Sequence, residues 1–322
     1  MNPERAVSQL NALGRIGVLC GGDGGERPVS LKSGERVHGA LTGAGVDAVL
    51  VDLDENPIQT LMRAGLGAAV VMLHGHWGED GRIQSALDLL RIPYCGSGPR
   101  GSMLAFDKYI SKQLWRTYGL PTPDWLLLGG GADCDAVPDW AAGRGLCIKP
   151  VREGSSLGIT LLEPDAGAQA VRAAYAEAAQ YGPSVLAEVR CTGAEVTVGL
   201  LEGRTLPPLL IEPAGAFYDY AAKYQRGDTG YHCPAPLPEA TLNQLEKLGA
   251  RAFELLGCRS WGRVDFILDA AGAPQLIELN TVPGMTDHSL VPKAAAAVGI
   301  DFAGCVLRLA ADALDPRTEN AP

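Results

Sequence analysis

Short apolar runs alternate with amphipathic segments over the first hundred residues of the chain. Buried strands are predicted over RIGVLC, DAVLVDL, AAVVMLHG and the shorter IPYCG, and a helix over RIQSALDLL. Ser30 is placed where an N-cap would lie, before a further helix that ends near Gly43. Strands that alternate with helices predict a parallel sheet, which binds ligands at the carboxyl ends of its strands. We therefore expect residues 1–99 to form an α/β domain with a site near the loops CGGDGGERPVS and LHGHWGEDG.

The pattern changes after the Gly98-Pro99 pair. A single helical segment is predicted over SMLAFDKYISKQLWRTYG, and a strand, a glycine loop and a second strand over GLCIKPVREGSSLGITLLEP. The later part of the chain is rich in strands. It also contains a long helix over EATLNQLEKLGARAFELLG and a last helix near residues 302–314.

The segment GRVDFILDAAGAPQLIELN predicts a β-hairpin whose turn lies in DAAGAP. This turn places Asp265 opposite Glu278, and Arg263 opposite Asn280. Because side chains alternate along a strand, all four share one face. The opposite face is then a core surface of Val264, Phe266, Ile277 and Leu279.

Two carboxylates that face each other repel unless a cation lies between them. Mg²⁺ binds oxygen ligands, and it combines a few protein groups with substrate phosphates. The pair of Asp265 and Glu278 therefore predicts a magnesium site. The alternative is a polar face that points to water.

The loop KPVREGSSLG joins Lys149 on a strand to a series of small residues. Backbone N–H groups of residues 154–157 could bind phosphate, with Lys149 as the counter-charge. A basic β-turn is the alternative. The sequence contains no P-loop motif. Its one match to the dinucleotide fingerprint GxGxxG, GSGPRG at residues 96–101, does not follow the first strand, so a dehydrogenase built on the first domain is not supported.

Two further segments carry candidate side chains. EVRCTGAE places Glu188 and Glu195 around a Thr-Gly turn, although surface acids are the alternative. FYDYAAKYQRGDTGYH brings Lys223 beside Tyr224 in a tyrosine-rich loop, a composition typical of an ordered lid or an interface.

The cysteines do not form a metal-binding pattern, and two histidines lie close together at a strand end. Eight cysteines occur singly, without a CxxC motif, which predicts buried free thiols in a reducing cytoplasm and neither disulfides nor zinc. His74 and His76 flank Gly75 at a strand end. They could bind a metal, but hydrogen bonding to a substrate or a structural role is more typical.

The composition narrows the classes of partner. A net charge of −10 over 322 residues argues against binding to nucleic acid or to a membrane through a basic patch. There is no apolar run long enough for a signal peptide before the first strand, or for a spanning helix. We therefore expect a cytoplasmic protein.

Taken together, the motifs closely resemble those of the D-alanine–D-alanine ligases of the ATP-grasp superfamily. The similarity covers nearly the whole chain. It includes GVLCGGDGGERPVSLKSG, LHGHWGEDGRIQSALDLLRIPYCGSG, DKYISKQ, KPVREGSSLG, FYDYAAKY, GRVDFILD and ELNTVPGMTDHSLVPKAA, in the family's order. The resemblance implies an N-terminal parallel-sheet α/β domain followed by two ATP-grasp domains. We expect these over residues 1–99, 100–186 and 187–315, with a loose tail over 316–322.

The resemblance also implies where ATP and metal bind. Two Mg²⁺ ions, for which Mn²⁺ could substitute, would be held by Asp265, Glu278 and Asn280. The phosphates would be contacted by Lys108, Lys149 and Lys223. Adenine and ribose would be recognised by Glu188 and Glu195.

For the amino acids, the resemblance implies that Glu26 binds the amino group of the first D-alanine, with His74 near that subsite. Ser155 and Tyr224 would join Glu26 in a hydrogen-bond network that closes the lid. The oxyanion would be held by Arg263 and by the N–H of Gly284. The second D-alanine would be held by Ser289 and Leu290.

The implied activity is synthesis of D-alanyl-D-alanine from ATP and two D-alanines through a D-alanyl phosphate, for peptidoglycan precursors, by a homodimer. A ligase that uses D-lactate or D-serine is the alternative within the family, and Tyr224 favours D-alanine. A non-catalytic nucleotide or amino-acid sensor is the alternative outside it. The retention of Lys108, Lys149, Arg263, Asp265, Glu278 and Asn280 argues against a sensor.

Overall fold

A computed structural model of the chain describes residues 2–213, 228–286 and 289–315. The helices are α1 Pro3–Leu13, α2 Arg27–Gly43, α3 Pro57–Ala64, α4 Arg82–Leu90, α5 Pro99–Phe106, α6 Lys108–Thr117, α7 Val137–Ala141, α8 Ala168–Ala178, α9 Glu239–Leu255, α10 Leu290–Ala296 and α11 Phe302–Ala311. The strands are β1 Ile16–Gly21, β2 Ala48–Leu53, β3 Ala68–Val71, β4 Trp125–Leu128, β5 Leu146–Pro150, β6 Thr160–Leu162, β7 Val185–Val189, β8 Glu195–Leu201, β9 Arg204–Thr205, β10 Leu209–Glu212, β11 Gly230–His232, β12 Gly262–Leu268 and β13 Pro274–Asn280.

The N-terminal strands form the predicted parallel sheet, in the order β2-β1-β3. The segment IPYCG contributes only an isolated bridge between Tyr94 and Ala69. The prediction that Ser30 caps a helix was wrong, because α2 already begins at Arg27. The Ser30 hydroxyl instead accepts from the Gly21 N–H at 2.9 Å and donates to the Met72 carbonyl at 2.8 Å. It therefore joins the carboxyl ends of β1 and β3.

The central sheet is antiparallel and has the order β4-β7-β5-β6. Its core includes Ile148 and Val185 from the sheet and Val171 from α8. Strand β7 pairs with both β4 and β5, so the boundary predicted at residue 186 cuts through a strand of this sheet. The central sheet therefore extends to Val189.

The third sheet, of order β11-β10-β8-β12-β13, carries the predicted hairpin at its edge. Helices α6 and α9 contribute Trp115 and Phe253 to the core beneath it, next to Val264. The single helix expected over 102–119 is broken at Asp107, whose carboxylate accepts from the Ile110 N–H at 3.0 Å as the N-cap of α6. A new helix therefore starts at Lys108.

The end of the described chain returns to the N-terminal sheet. Helix α11 packs against α1 and α2, and its Val306 and Leu309 lie in the same core as Val18 and Val70. The loop that follows β13 thereby lies beside the carboxyl end of β3. In the three described ranges, no helix combines the length and the apolar character that crossing a membrane requires.

Candidate active site

The hairpin of β12 and β13 has the predicted register on its polar face. Arg263 pairs with Asn280 and Asp265 pairs with Glu278. The register then shifts, so that Phe266 pairs with Leu276 and Ile277 is the extra residue of a bulge. Placing Ile277 in the core was therefore wrong: Leu276 is buried there, and Ile277 lines a cleft on the polar side.

This cleft has a volume of about 420 Å³ and lies between the central sheet and the third sheet. Its apolar wall includes Leu161, Ile211 and Ile277. Its polar lining includes the predicted nucleotide and metal residues Lys149, Glu188, Glu195, Asp265 and Glu278. The structure thus brings these residues, which lie on both sheets, around one cavity.

Arg263 and Asp265 form a bidentate ion pair on the polar face of the hairpin. Arg263 Nε lies 2.8 Å from Asp265 Oδ1, and Nη2 lies 2.8 Å from Oδ2. The hydroxyl of Thr197 donates to Asp265 Oδ1 at 2.6 Å. Because Thr197 lies on β8, its role depends on strand pairing, and the hairpin sequence carried no signal for it.

Glu278 pairs with Lys108 at the start of α6, with 3.1 Å between Nζ and Oε2. Lys108 Nζ also donates to the backbone carbonyl of Glu153. The two facing carboxylates are therefore balanced by Arg263 on one side and by Lys108 on the other. Carboxylate and amide oxygens from Asp265, Glu278 and Asn280 form a donor set that suits a hard divalent ion.

Glu188 is buried between two lysines at one wall of the cleft. Lys112 Nζ lies 3.1 Å and Lys149 Nζ 2.9 Å from the same oxygen, Glu188 Oε1. Burial raises the pKa of Glu188, but the positive charges of Lys112 and Lys149 together lower it by a larger amount. The pKa of Glu188 therefore lies below its ordinary value. Glu188 therefore lines the cleft as an ionised, acceptor-only group.

The glycine loop lies between β5 and β6, as predicted. Ser155 and Ser156 adopt the left-handed region, with φ of 52° and 60°, an uncommon backbone state at non-glycine positions that concentrates at functional sites. The N–H of Leu157 donates to the Gly154 carbonyl at 3.1 Å, so this N–H, expected to bind phosphate, closes a turn. The turn directs the Ser155 hydroxyl to Glu26, to which it donates.

A second, smaller cavity of about 60 Å³ adjoins the cleft. The predicted residues that line it are Glu26, His74, Ser155, Arg263, Glu278, Asn280, Gly284, Ser289 and Leu290. A Cβ at Gly75, whose φ is 66°, would clash with Glu26 Oε2, so glycine leaves room there for this buried carboxylate. Arg263, Glu278 and Leu290 line both cavities, which therefore meet at the hairpin.

Glu79 also lines the small cavity, and the sequence interpretation missed it. Its Oε1 accepts from the Gly75 N–H at 3.0 Å. The Asn280 amide, oriented to satisfy both of its groups, donates to Glu79 Oε2 at 2.6 Å and accepts from Arg263 at 3.2 Å. Burial, together with the charge of Glu26, raises the pKa of Glu79 well above its ordinary value. The sequence signal that could have identified Glu79 is its place as an acid in the polar loop LHGHWGEDG.

His74 joins the N-terminal sheet to the loop after the hairpin. Its Nδ1 lies 2.8 Å from the Val282 carbonyl, so Nδ1 carries the proton, and Nε2 accepts from the Ser33 hydroxyl at 3.0 Å. Burial lowers the pKa of His74 to about 4, which keeps the ring neutral. Both ring nitrogens thus bind protein groups, and His74 positions the loop that leads to Gly284.

The remaining predicted residues lie at the end of this loop or outside the described ranges. Ser289 is the N-cap of α10, Leu290 is its first residue, and the Ser289 hydroxyl accepts from the Thr286 N–H at 2.8 Å. Lys223 and Tyr224, and the tail 316–322, lie outside the described residues.

His76 ties the glycine loop to the N-terminal domain. Its Nδ1 lies 3.6 Å from Asp80 and its Nε2 3.6 Å from Glu153 of the loop. The nearby negative charges of Asp80 and Glu153 raise the pKa of His76 to about 10. The folded protein therefore retains this proton at pH values where an unfolded histidine, with a pKa near 6.5, has lost it.

We expect His76→Asn to destabilise the protein by about 1 kcal/mol at pH 6, since the ion pair is partly exposed. The difference from wild type should shrink as the pH rises from about 6.5 towards 10, because the bound proton then contributes less to stability. Urea unfolding at pH 6, 8 and 9.5 measures it. His38→Asn, whose ring contacts the Ala48 carbonyl, is the control. A difference that grows with pH would contradict the assignment.

Comparison with known proteins identifies relatives over nearly the whole chain. Residues 114–311 match the family model described as "D-ala D-ala ligase C-terminus". The chain is 48% identical over 304 residues to the D-alanine–D-alanine ligase of Bordetella pertussis, covering 93% of this chain and 95% of the relative. It is 46% identical over 300 residues to that of Dechloromonas aromatica, covering 93% and 98%.

Solved structures agree with these matches. The D-alanine–D-alanine ligase of Bacillus anthracis, crystallised with ATP, superposes with a TM-score of 0.83 at 29% identity, over 95% of this chain and 99% of that one. The VanG D-Ala:D-Ser ligase of Enterococcus faecalis superposes with a TM-score of 0.78 at 25% identity, over 93% and 99%.

Proposed function

The chain belongs to the D-alanine–D-alanine ligase family, and we propose from this premise that it joins two D-alanines into D-alanyl-D-alanine. ATP is consumed and ADP and phosphate are released, with a D-alanyl phosphate as intermediate, in the synthesis of peptidoglycan precursors. The observation that carries the proposal is the meeting of the two cavities at Arg263 and Glu278. A phosphoryl donor in the cleft would there face a carboxylate substrate in the small cavity.

The first D-alanine would bind in the small cavity through its ammonium group. Three acids line that cavity. Glu278 pairs with Lys108, and the raised pKa of Glu79 favours its protonated form. Glu26 is then the group that carries negative charge for the ammonium, and the Ser155 hydroxyl orients it. Pairing a buried cation with a buried carboxylate offsets the cost of removing both from water.

Phosphoryl transfer onto the D-alanine carboxylate would occur where the cavities meet. Asp265, Glu278 and Asn280 would hold two magnesium ions, or manganese in their place, which neutralise phosphate charge when bound. Lys108, Lys149 and Lys223 would add positive charge around the phosphates. Lys149 already faces the cleft from β5, where it pairs with Glu188. Glu188 would recognise adenine and Glu195 the ribose.

Attack by the second amine would create a tetrahedral oxyanion. Arg263 is held rigidly by its bidentate pair with Asp265, so its remaining N–H groups are oriented in advance for that charge. The N–H of Gly284 would be the second donor. The second D-alanine's carboxylate would lie at Ser289 and Leu290, where the first turn of α10 presents N–H groups.

The activity is tested by incubating purified protein with ATP, Mg²⁺ and either D-alanine or L-alanine, and by identifying the nucleotide product. We expect ADP and phosphate with D-alanine alone. Formation of AMP and pyrophosphate, or equal turnover of L-alanine, would refute the proposal. A reaction without any amino acid is the control for background hydrolysis of ATP.

The second substrate is proposed to be D-alanine, and the resemblance at Tyr224 supports this choice. Offering D-alanine, D-lactate and D-serine in competition at neutral pH, followed by mass analysis of the product, tests it. A dominant D-alanyl-D-lactate or D-alanyl-D-serine product would reject it.

We further propose that the enzyme is a cytoplasmic homodimer. The eight cysteines are free thiols, which suits a reducing compartment. The dimer rests on the family resemblance, and light scattering at micromolar concentration tests it by the mass of the particle.

A further inference from the structure

Lys112 is a fully buried ammonium group with no place in the mechanism described above. Its exposed fraction is 0%. It lies one helical turn after Lys108 on α6, and the two side chains reach different acids, Glu278 and Glu188. Burying a charge in this way is costly unless it is paired and hydrogen-bonded.

The contacts of Lys112 fix its position behind Glu188. Its Nζ donates to the Thr122 hydroxyl at 2.7 Å, and this hydroxyl donates in turn to the Leu276 carbonyl at 2.7 Å. The ammonium is also 5.8 Å from the ring centroid of Trp125, within the range of a cation–π contact. Lys112 is thereby anchored to the third sheet while it holds a carboxylate of the central sheet.

The two lysines that bind Glu188 play different parts. Lys149 lines the cleft together with Glu188, whereas Lys112 approaches the same oxygen from the protein interior. Burial lowers the pKa of Lys112 to about 8, although the negative charge of Glu188 acts to raise it. The ammonium form therefore persists at neutral pH. Two cations on one oxygen define the orientation of the carboxylate.

We propose that Lys112 is a positioning residue for nucleotide specificity, which acts through Glu188 to favour a purine with an amino group at position 6 over one with a carbonyl at that position. The proposal rests on the proposed assignment of Glu188 to the nucleotide base. A carboxylate held ionised can only accept hydrogen bonds. It therefore pairs with the 6-amino group of adenine and repels the 6-carbonyl oxygen of guanine, which offers no donor at that position.

The surroundings of Glu188 suit this role. Leu161 and Val189 line the same cleft and provide an apolar surface for a flat base. When the site is built to accept a hydrogen bond, an analogue without the donor is rejected because a buried polar group is left unpaired. Loss of the anchoring ammonium would free the carboxylate to turn, and the discrimination would fall.

The test compares Lys112→Met with wild type, using ATP and GTP as alternative phosphoryl donors at saturating D-alanine. We expect KM for ATP to rise about tenfold and the ATP:GTP ratio of kcat/KM to fall about tenfold, the size of one charge-assisted hydrogen bond. The kcat with ATP and KM for D-alanine should be retained. Lys112→Arg, which keeps the charge, should restore most of the ratio.

An unchanged ATP:GTP ratio in folded Lys112→Met would overturn the proposal, as would equal losses with both nucleotides. If that variant does not fold, Thr122→Val decides, because it removes one anchor of Lys112 and keeps every charge. We expect the ratio to fall in the same direction, and an unchanged ratio would refute the idea. Wild type without D-alanine-dependent ADP formation would instead refute the proposed function, so the two failures are distinguishable.

Discussion

Replacing Glu278 with glutamine is expected to lower kcat by about a hundredfold or more, while the protein stays folded. Glutamine keeps the size of the side chain but removes a negative charge that faces Asp265 and pairs with Lys108 at 3.1 Å. Metal ions supply several kcal/mol of charge stabilisation in phosphoryl transfer, and a weakened ligand loses part of it. Steady-state rates across a Mg²⁺ titration measure both the fall in kcat and the higher Mg²⁺ requirement.

The matched control is Glu254→Gln, which removes a carboxylate that is 72% exposed and pairs with Arg251 on α9. This control should keep the wild-type rate and Mg²⁺ dependence. Near-normal turnover of folded Glu278→Gln, with circular dichroism like that of wild type, would show that the metal assignment is wrong.

Arg263→Lys is expected to reduce kcat by about 10²- to 10³-fold, the typical cost of losing one oxyanion donor. Lysine keeps the positive charge, but a single ammonium group cannot reproduce the two parallel bonds to Asp265 and still point donors into the cavity. KM for ATP should change much less than kcat, because the lost contact is made mainly in the transition state.

Single-turnover measurements with saturating ATP and D-alanine check this prediction. Arg251→Lys is the control, since it alters an exposed arginine paired with Glu254 at 2.8 Å. A rise in KM with kcat preserved would contradict it, because Arg263 would then contribute to ground-state binding alone.

The polar face of the hairpin was predictable because its determinants are local. Strand alternation and the chemistry of one turn place Arg263, Asp265, Glu278 and Asn280 together, and the structure has this register. The same alternation gave the wrong side for Ile277, because a bulge inserts an extra residue and a period of two cannot show it.

The errors in helix limits have a common physical origin. Ser30 has the chemistry of an N-cap, but its hydroxyl instead joins β1 to the end of β3, where its acceptor, the Met72 carbonyl, lies 42 residues further along the chain. Asp107 likewise interrupts what the apolar pattern indicated as one helix, since its carboxylate caps a second helix and also accepts from Arg152 Nε at 2.7 Å, 45 residues along the chain. Local propensity is a weak guide where a side chain has a distant partner.

The amino-acid sequence alone determined the α/β order of the first domain, the glycine loop, the hairpin and the family resemblance, since each depends on neighbours along the chain. Only the tertiary structure decided which buried charges meet. His74 binds the Val282 carbonyl 208 residues away, and Lys112 reaches Glu188 from a helix that packs beneath another sheet. Such contacts are set by how sheets and helices stack, and burial then changes the pKa of each group. The specificity proposed for Lys112 and the raised pKa of Glu79 therefore depend on packing.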